Sequence, residues 1–187
     1  MNIKTNKRAV FFGAVLAACL GSASLADWQP DLSDNRQKAA SVAIQKFKTK
    51  KPELSAYFDQ AYGYAILPGI TRVAVGFGGA YGRGLVIEQD SLIGRTGFSQ
   101  FTGGIQLGAK HFSMIVFFKG SDALEQYKAG RVRFLGQAGI DVLTVGVSGT
   151  PAYNEGVAII AMTKLGLMAE FSYSGARFSY TPIIIGD

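Results

Sequence analysis

The stretch Val73–Ile87, VAVGFGGAYGRGLVI, sets five glycines among apolar and aromatic residues. Two kinds of structure use such a run: a loop whose amides cradle phosphate, and a strand whose bare positions let another element lie against it. A dinucleotide fingerprint needs G-x-G-x-x-G between a strand and a helix. Here Gly76-x-Gly78 is followed by Gly79 and then Gly82, so the third glycine comes one place late. Leu85-Val86-Ile87 follows, which favours a strand over a helix, and no Gly-Lys-Ser/Thr ending is present. The run therefore reads as a strand. Gly76, Gly78, Gly79, Gly82 and Gly84 are structural residues that let a helix, a neighbouring strand or a bend come close.

On either side of this run the hydrophobic period is two. Tyr64–Ile70 is strand-like, with Pro68 marking an edge or a bend. Glu88–Ser91 reads as a turn. Phe101–Leu107, Phe112–Lys119, Ala138–Val147, Gly156–Thr163 and Leu165–Tyr180 are further strands, and Gly103, Gly104 and Gly108 join the structural glycines. In the last strand Leu165, Leu167, Ala169, Phe171 and Tyr173 share one face, so one side is dry and the other largely wet. Ser121-Asp122 starts a short helix with Ala123, Leu124 and Tyr127 on its apolar side and Gly130 as its stop.

The N-terminal third has helical spacing instead. Leu32–Lys50 reads as a helix capped by Ser33 or Asp31, with Ala39, Ala40, Ala43, Ile44 and Phe47 on one face. Pro52–Gln60 is a second, shorter helix that turns Leu54, Tyr57 and Phe58 inward and stops at Gly63. The expected fold class is α+β: a curved antiparallel β-sheet or partly closed barrel with N-terminal helices and one short internal helix.

Residues 1–26 read as an export signal, leaving 27–187 as a single domain. Lys4, Lys7 and Arg8 precede an apolar run, Ala9–Leu20, and Ser24-Leu25-Ala26 forms an A-x-A-like cleavage site. Twelve apolar residues are too few to span a bilayer, which takes about twenty. Leu16-Ala17-Ala18-Cys19 also resembles a lipobox, which would make Cys19 a lipidation site and the new N-terminus. Cleavage after Ala26 is favoured because the apolar run continues through Leu20. Loss of the three leader cations lowers the formal charge from +6 to +3. Hydrophobic residues make up 48% and charged residues 17%, which argues against general disorder.

Catalytic groups are few. His111 is the only histidine, Cys19 is the only cysteine, and no G-x-S-x-G elbow is present. A zinc site is therefore not expected, nor is any cofactor. His111 reads as a surface or satisfied core residue at the start of a strand. Asp141 and Glu170 invite a paired-carboxylate idea, against which both facing solvent is the plainer reading. Nucleic-acid binding lacks a dense basic stripe and a matching motif. Lys38, Lys46, Lys48, Lys50 and Lys51 give the first helix a basic side that suits anionic phospholipid or a membrane surface. An ordinary solvated face, with late lysines favoured by the helix dipole, accounts for the same pattern.

Five segments in order resemble the SYLF lipid-binding domain family, also known as an actin-binding domain family. They are Tyr62-Gly63-Tyr64-Ala65-Ile66-Leu67-Pro68, the glycine strand from Gly76 to Val86, Phe101–Ala109 with its G-x-Q-x-G core, Phe112–Tyr127, and Lys164–Ala169. The resemblance covers about residues 39–180. The tryptophan usual after the first turn is absent, and Thr96-Gly97-Phe98 stands there. The resemblance implies a bacterial exported member: a non-catalytic, lipid-binding domain in the periplasm, or anchored to the outer membrane as a lipoprotein. Two other readings stand beside it, a small outer-membrane β-barrel and a periplasmic hydrolase using His111.

Overall fold

A computed structural model describes residues 27–132, 153–163, 166–167 and 176–183. The leader with Cys19, the strand expected over 138–147, Asp141, Glu170, and the alternating face of Leu165–Tyr173 apart from 166–167 lie outside the described residues. The described chain is a mixed α+β structure. Helix α1 (Asn35–Lys50), a 3-10 turn (Pro52–Leu54) and helix α2 (Ser55–Gln60) precede the long strands β1 (Gly63–Glu88) and β2 (Ser91–Phe118). Helix α3 (Ser121–Lys128) follows, then β3 (Val157–Thr163), β4 (Gly166–Leu167) and β5 (Ala176–Pro182).

β1 and β2 form one antiparallel ribbon from Gly63↔Phe118 to Glu88↔Ser91. Gln89 and Asp90 close it with φ of 44° and 62°, both left-handed, which makes a two-residue turn that follows the strand twist. Strands of this length do not stay straight. The register slips at Leu67/Ile70, Val75/Phe77 and Val86/Ile87, and such bulges bend the chain. Pro68 sits in the first slip, since it has no N–H for the ladder. Ser113 Oγ donates to its carbonyl at 2.7 Å. On the other edge of β2, β5 pairs with Gly94–Gln100 and β3 with Phe112–Phe118, and β4 pairs antiparallel with the end of β3. The sheet is curved and antiparallel, and it stays open.

The ribbon folds back on itself, and the glycines show where. Ala80, Gly82, Gly84 and Val86 occupy alternate positions of β1, and Ala80 and Val86 both belong to the inner core. A Cβ at Gly82 would meet Ile70 Cγ1 at 2.5 Å and Gly69 O at 3.0 Å. One at Gly84 would strike the Ile66 carbonyl, and one at Gly63 would lie 2.6 Å from Ile87 O. The beginning and end of β1 thus run antiparallel past each other with backbone against backbone. Gly79, on the opposite face, meets only Gln100 O at an ordinary 3.6 Å.

Two cores result. Inside the curve, Leu67, Ile70, Val86, Phe98, Phe112, Met114, Phe118, Ile159 and Phe178 pack with Ala123, Leu124 and Tyr127 of α3. Outside it, Tyr64, Ile66, Leu85, Ile87, Ile115, Phe117 and Ile160 pack with Trp28 and with Ala40, Ala43, Ile44 and Phe47 of α1. Full burial of a side chain such as Phe47 stabilises by about 1.5–3 kcal/mol. β3 is buried on both faces because each core claims one. α3 is further held by Lys128, which pairs with Glu125 at 2.9 Å and Glu88 at 3.3 Å.

Several sequence expectations need correction. The segments Tyr64–Ile70 and Val73–Ile87 are one strand, and so are Phe101–Leu107 and Phe112–Lys119, because bulges interrupt the alternation without ending the pairing. The N-cap of α1 is Asp34, whose carboxylate accepts from Arg36 N at 2.7 Å, while Asp31 instead accepts from Ser33. Ala39 is exposed. α2 ends at Gln60 with Ala61 as its C-cap, and Gly63 opens β1 where the Ile87–Glu88 backbone leaves no room for a side chain.

Gly84→Ala is expected to cost at least about 2 kcal/mol, since backbone and not a movable side chain blocks the new methyl. Gly79→Ala should stay within about 1 kcal/mol; urea unfolding of the two variants checks this, and equal losses would refute the close approach. A second expectation concerns high pH. Burial raises the hydroxyl pKa of Tyr64, with Asp27 and Asp90 adding to it. Burial also raises that of Tyr127, against its 2.6 Å hydrogen bond to Thr96. The folded chain then holds more protons than the unfolded one above about pH 10, so stability, full below that pH, falls as pH rises further. The Tyr64 hydroxyl is buried with no hydrogen-bond partner among the described residues. Tyr64→Phe should therefore leave neutral-pH stability unchanged or raise it by about 1 kcal/mol, and shallow the alkaline decline measured by urea midpoints.

Candidate functional site

The five lysines of the basic helix do not converge. Lys38 and Lys50 stand roughly 18 Å apart along α1, at 1.5 Å per residue. Lys38 and Lys46 flank a groove of about 550 Å³ between α1 and the stretch of β2 at His111, Phe112 and Ser113. Lys48 is engaged locally: its Nζ lies 3.0 Å from Asp27 Oδ2 and 4.8 Å from the centre of the Phe58 ring. Lys50 and Lys51 end the helix, and the Lys51 amide donates to Phe47 O.

His111 is exposed, with Nδ1 3.1 Å from Thr71 Oγ1 across the ribbon. Ser113 lines the same groove, yet its hydroxyl donates to Pro68 O and not to the imidazole. Among the described residues no cluster of three or more His, Cys, Asp or Glu is placed to hold a metal ion. Leu85–Glu88 continues β1 as strand, so the glycine run opens no helix toward a phosphate. Gly76, Gly78, Gly103, Gly104 and Gly108 lie in the ribbon near its middle, and of these Gly108 has a φ of 147°, which favours glycine.

A different surface collects cationic and aromatic groups. From Phe77 to Arg83 the odd-numbered positions of β1 point outward: Phe77, Gly79, Tyr81 and Arg83 are exposed, while Gly78, Ala80 and Gly82 are buried. Pairing brings Arg83 opposite Gly97, Gly79 opposite Phe101 and Tyr81 opposite Ser99, and Ser99 in turn opposite Arg177. Leu85 lies opposite Arg95, which faces Thr181 of β5. α1 covers this outer face only at its Leu85–Ile87 end. Beyond that cover, a groove of about 770 Å³ runs between the start of α1 and the sheet. Arg36, Arg83 and Arg95 line it together with Thr71, Thr96, Ser179 and Thr181, and among the described residues no carboxylate does. Arg83 Nε donates to the Tyr81 hydroxyl, and its guanidinium sits 5.5 Å from the ring centre, so its orientation is set before any ligand arrives.

Sequence reasoning named the lysines and missed these arginines. They are scattered at 36, 83 and 95; strand pairing brings Arg83 and Arg95 together, and the packing of α1 on the sheet adds Arg36. A signal for them did exist in the sequence. No Asp or Glu occurs from Tyr62 to Ile87 or from Ser91 to Ser121, while Arg72, Arg83, Arg95, Lys110 and Lys119 do. Glu88 and Asp90 stand at the hairpin turn, and Asp122 and Glu125 on α3.

No family model matches the chain, and no curated protein matches it either.

Lys48 is expected to act on stability and not on ligand affinity. Lys48→Ala should lower stability by no more than about 1 kcal/mol, and a double-mutant cycle with Asp27→Asn should return a coupling below about 1 kcal/mol that shrinks with salt.

Proposed function

We propose that the chain is a non-catalytic lipid-binding domain of the cell envelope that takes anionic phospholipid headgroups into the groove of Arg36, Arg83 and Arg95. The observation that carries this reading is the groove itself, with three guanidinium groups, several hydroxyls and, among the described residues, no carboxylate along its walls. Guanidinium forks match phosphate oxygens, and unopposed cations attract an anionic surface from a distance. The resemblance to the SYLF family and the leader-like residues 1–26 point the same way, toward an exported protein in the periplasm or tethered to the outer membrane. The barrel alternative loses support because Arg83, Arg95 and Arg177 interrupt the uncovered part of the outer face and α1 covers the rest, where a membrane barrel needs an unbroken apolar band. No helix among the described residues is long and apolar enough to cross a membrane. The hydrolase alternative loses support at Ser113, whose proton is turned away from His111.

Co-sedimentation of residues 27–187 with vesicles tests this. Binding to vesicles of phosphatidylcholine with phosphatidylglycerol should exceed binding to phosphatidylcholine alone by about tenfold or more and weaken as salt rises. The triple variant Arg36→Gln, Arg83→Gln, Arg95→Gln should lose most of that preference, and Lys50→Gln with Lys51→Gln should keep it. Equal pelleting with neutral and anionic vesicles would overturn the reading.

A further inference from the structure

The outward face of the β1–β2 ribbon carries four of the six large apolar side chains that are exposed among the described residues: Val73, Phe77, Tyr81 and Phe101. Phe77 and Phe101 are the most open, at 71% and 67% exposure. Their rings stack at 6.2 Å between centres and 16° between planes, so each holds the other in place on the surface. Strand alternation leaves them outside. The inward positions beside them are filled by Ala80 and Gln100, and the core inside the curve is closed without them. Exposed aromatic pairs carry a cost in water, and nothing in the described fold covers this one.

Resting on the lipid reading above, we infer that Phe77 and Phe101 are the side chains that enter the bilayer interface when this face docks on an anionic membrane. Charge selects the occupant. Arg83, Arg95 and Arg177 lie on the same outward face, and the two long strands carry no carboxylate between Tyr62 and Ile87 or between Ser91 and Phe118. A partner for such a surface must be apolar and anionic at once. The boundary of an anionic bilayer has both properties, with phosphates at the level of the arginines and acyl chains within reach of the rings. A second copy of this chain would set the three arginines of one face against the same three of the other. The docked geometry also joins the two surfaces, because Arg83 and Arg95 belong both to this face and to the headgroup groove.

The test uses residues 27–187 and vesicles of phosphatidylcholine with phosphatidylglycerol. Trp28 is the sole tryptophan and is buried, so the unsubstituted protein supplies the background. Phe77→Trp should show a blue-shifted emission on adding vesicles and strong quenching by brominated acyl chains, where the unsubstituted protein shows neither. Phe77→Ser with Phe101→Ser should melt like the unsubstituted protein and bind these vesicles at least about tenfold more weakly, from the apolar area withheld. If the Phe77→Trp variant pellets with vesicles while its emission stays unchanged, this inference is overturned and the lipid reading stands. No pelleting of the unsubstituted protein at low salt would overturn both. A blue shift without vesicles, with a doubled mass in light scattering, would identify the face as a contact between copies and overturn the membrane assignment.

Discussion

Gly84 has no side chain, and the Ile66 carbonyl occupies the space where one would be. The same holds at Gly82 against Gly69 and Ile70, and at Gly63 against Ile87. These contacts bring the two ends of β1 within backbone distance of each other, and that closeness sets the curvature of the sheet. A ribbon of 26 and 28 residues pairs residue by residue, so bending β1 bends β2 with it. The curve then defines an inside, small enough to be filled by the apolar side of α3 and the inward residues of four strands. It also defines an outside, half of which needs α1 as a cover.

The distribution of charge follows from the same bend. Among the described residues, acidic side chains sit at the hairpin turn, on α3, at Glu155 just before β3 and around the helical N-terminal third. At the exposed positions described on the long strands, the charged side chains are all cations. Folding the ribbon back places Arg83 and Arg95 near Arg36 at the start of α1, although 47 positions separate Arg36 from Arg83 in the chain. The groove is a product of curvature: on a flat sheet the helix would lie along the strands and leave no recess beside Tyr81 and Arg83. Hydroxyls of Thr71, Ser179 and Thr181 complete walls that suit phosphate oxygens without demanding one stereochemistry.

The candidate site was less legible than the fold. Lys48 has the right residue type and position for a membrane helix, yet Asp27 and the Phe58 ring absorb it. Lysines close together on one helix are easy to see in a sequence, whereas Arg83 and Arg95 become diagonal neighbours across the ribbon only through the register that the hairpin turn and the slip at Val86/Ile87 set. Phe77 and Phe101 were equally hidden. An aromatic residue in an alternating strand reads as core until the facing of that strand is known, and one bulge reverses it.

The amino-acid sequence by itself determined the local conformations. Period-two alternation with glycine punctuation specified strands, 3.6-residue spacing specified α1 and α3, and the absence of a helix-forming sequence after Gly84 removed the nucleotide loop. Those choices depend on sterics and side-chain spacing within a few residues, which neighbouring chain cannot hide. Tertiary structure alone decided where strands end, which faces are buried, and which cations meet. Pro68 and the glycines near the ribbon's middle break the pattern as a strand end would. Only distant pairing partners, such as Met114 for Leu67 and Gly103 for Phe77, reveal that these are bulges within continuous strands. The physical reason is that a ladder hydrogen bond and a backbone contact each join two distant segments, and no local propensity records the identity of the second.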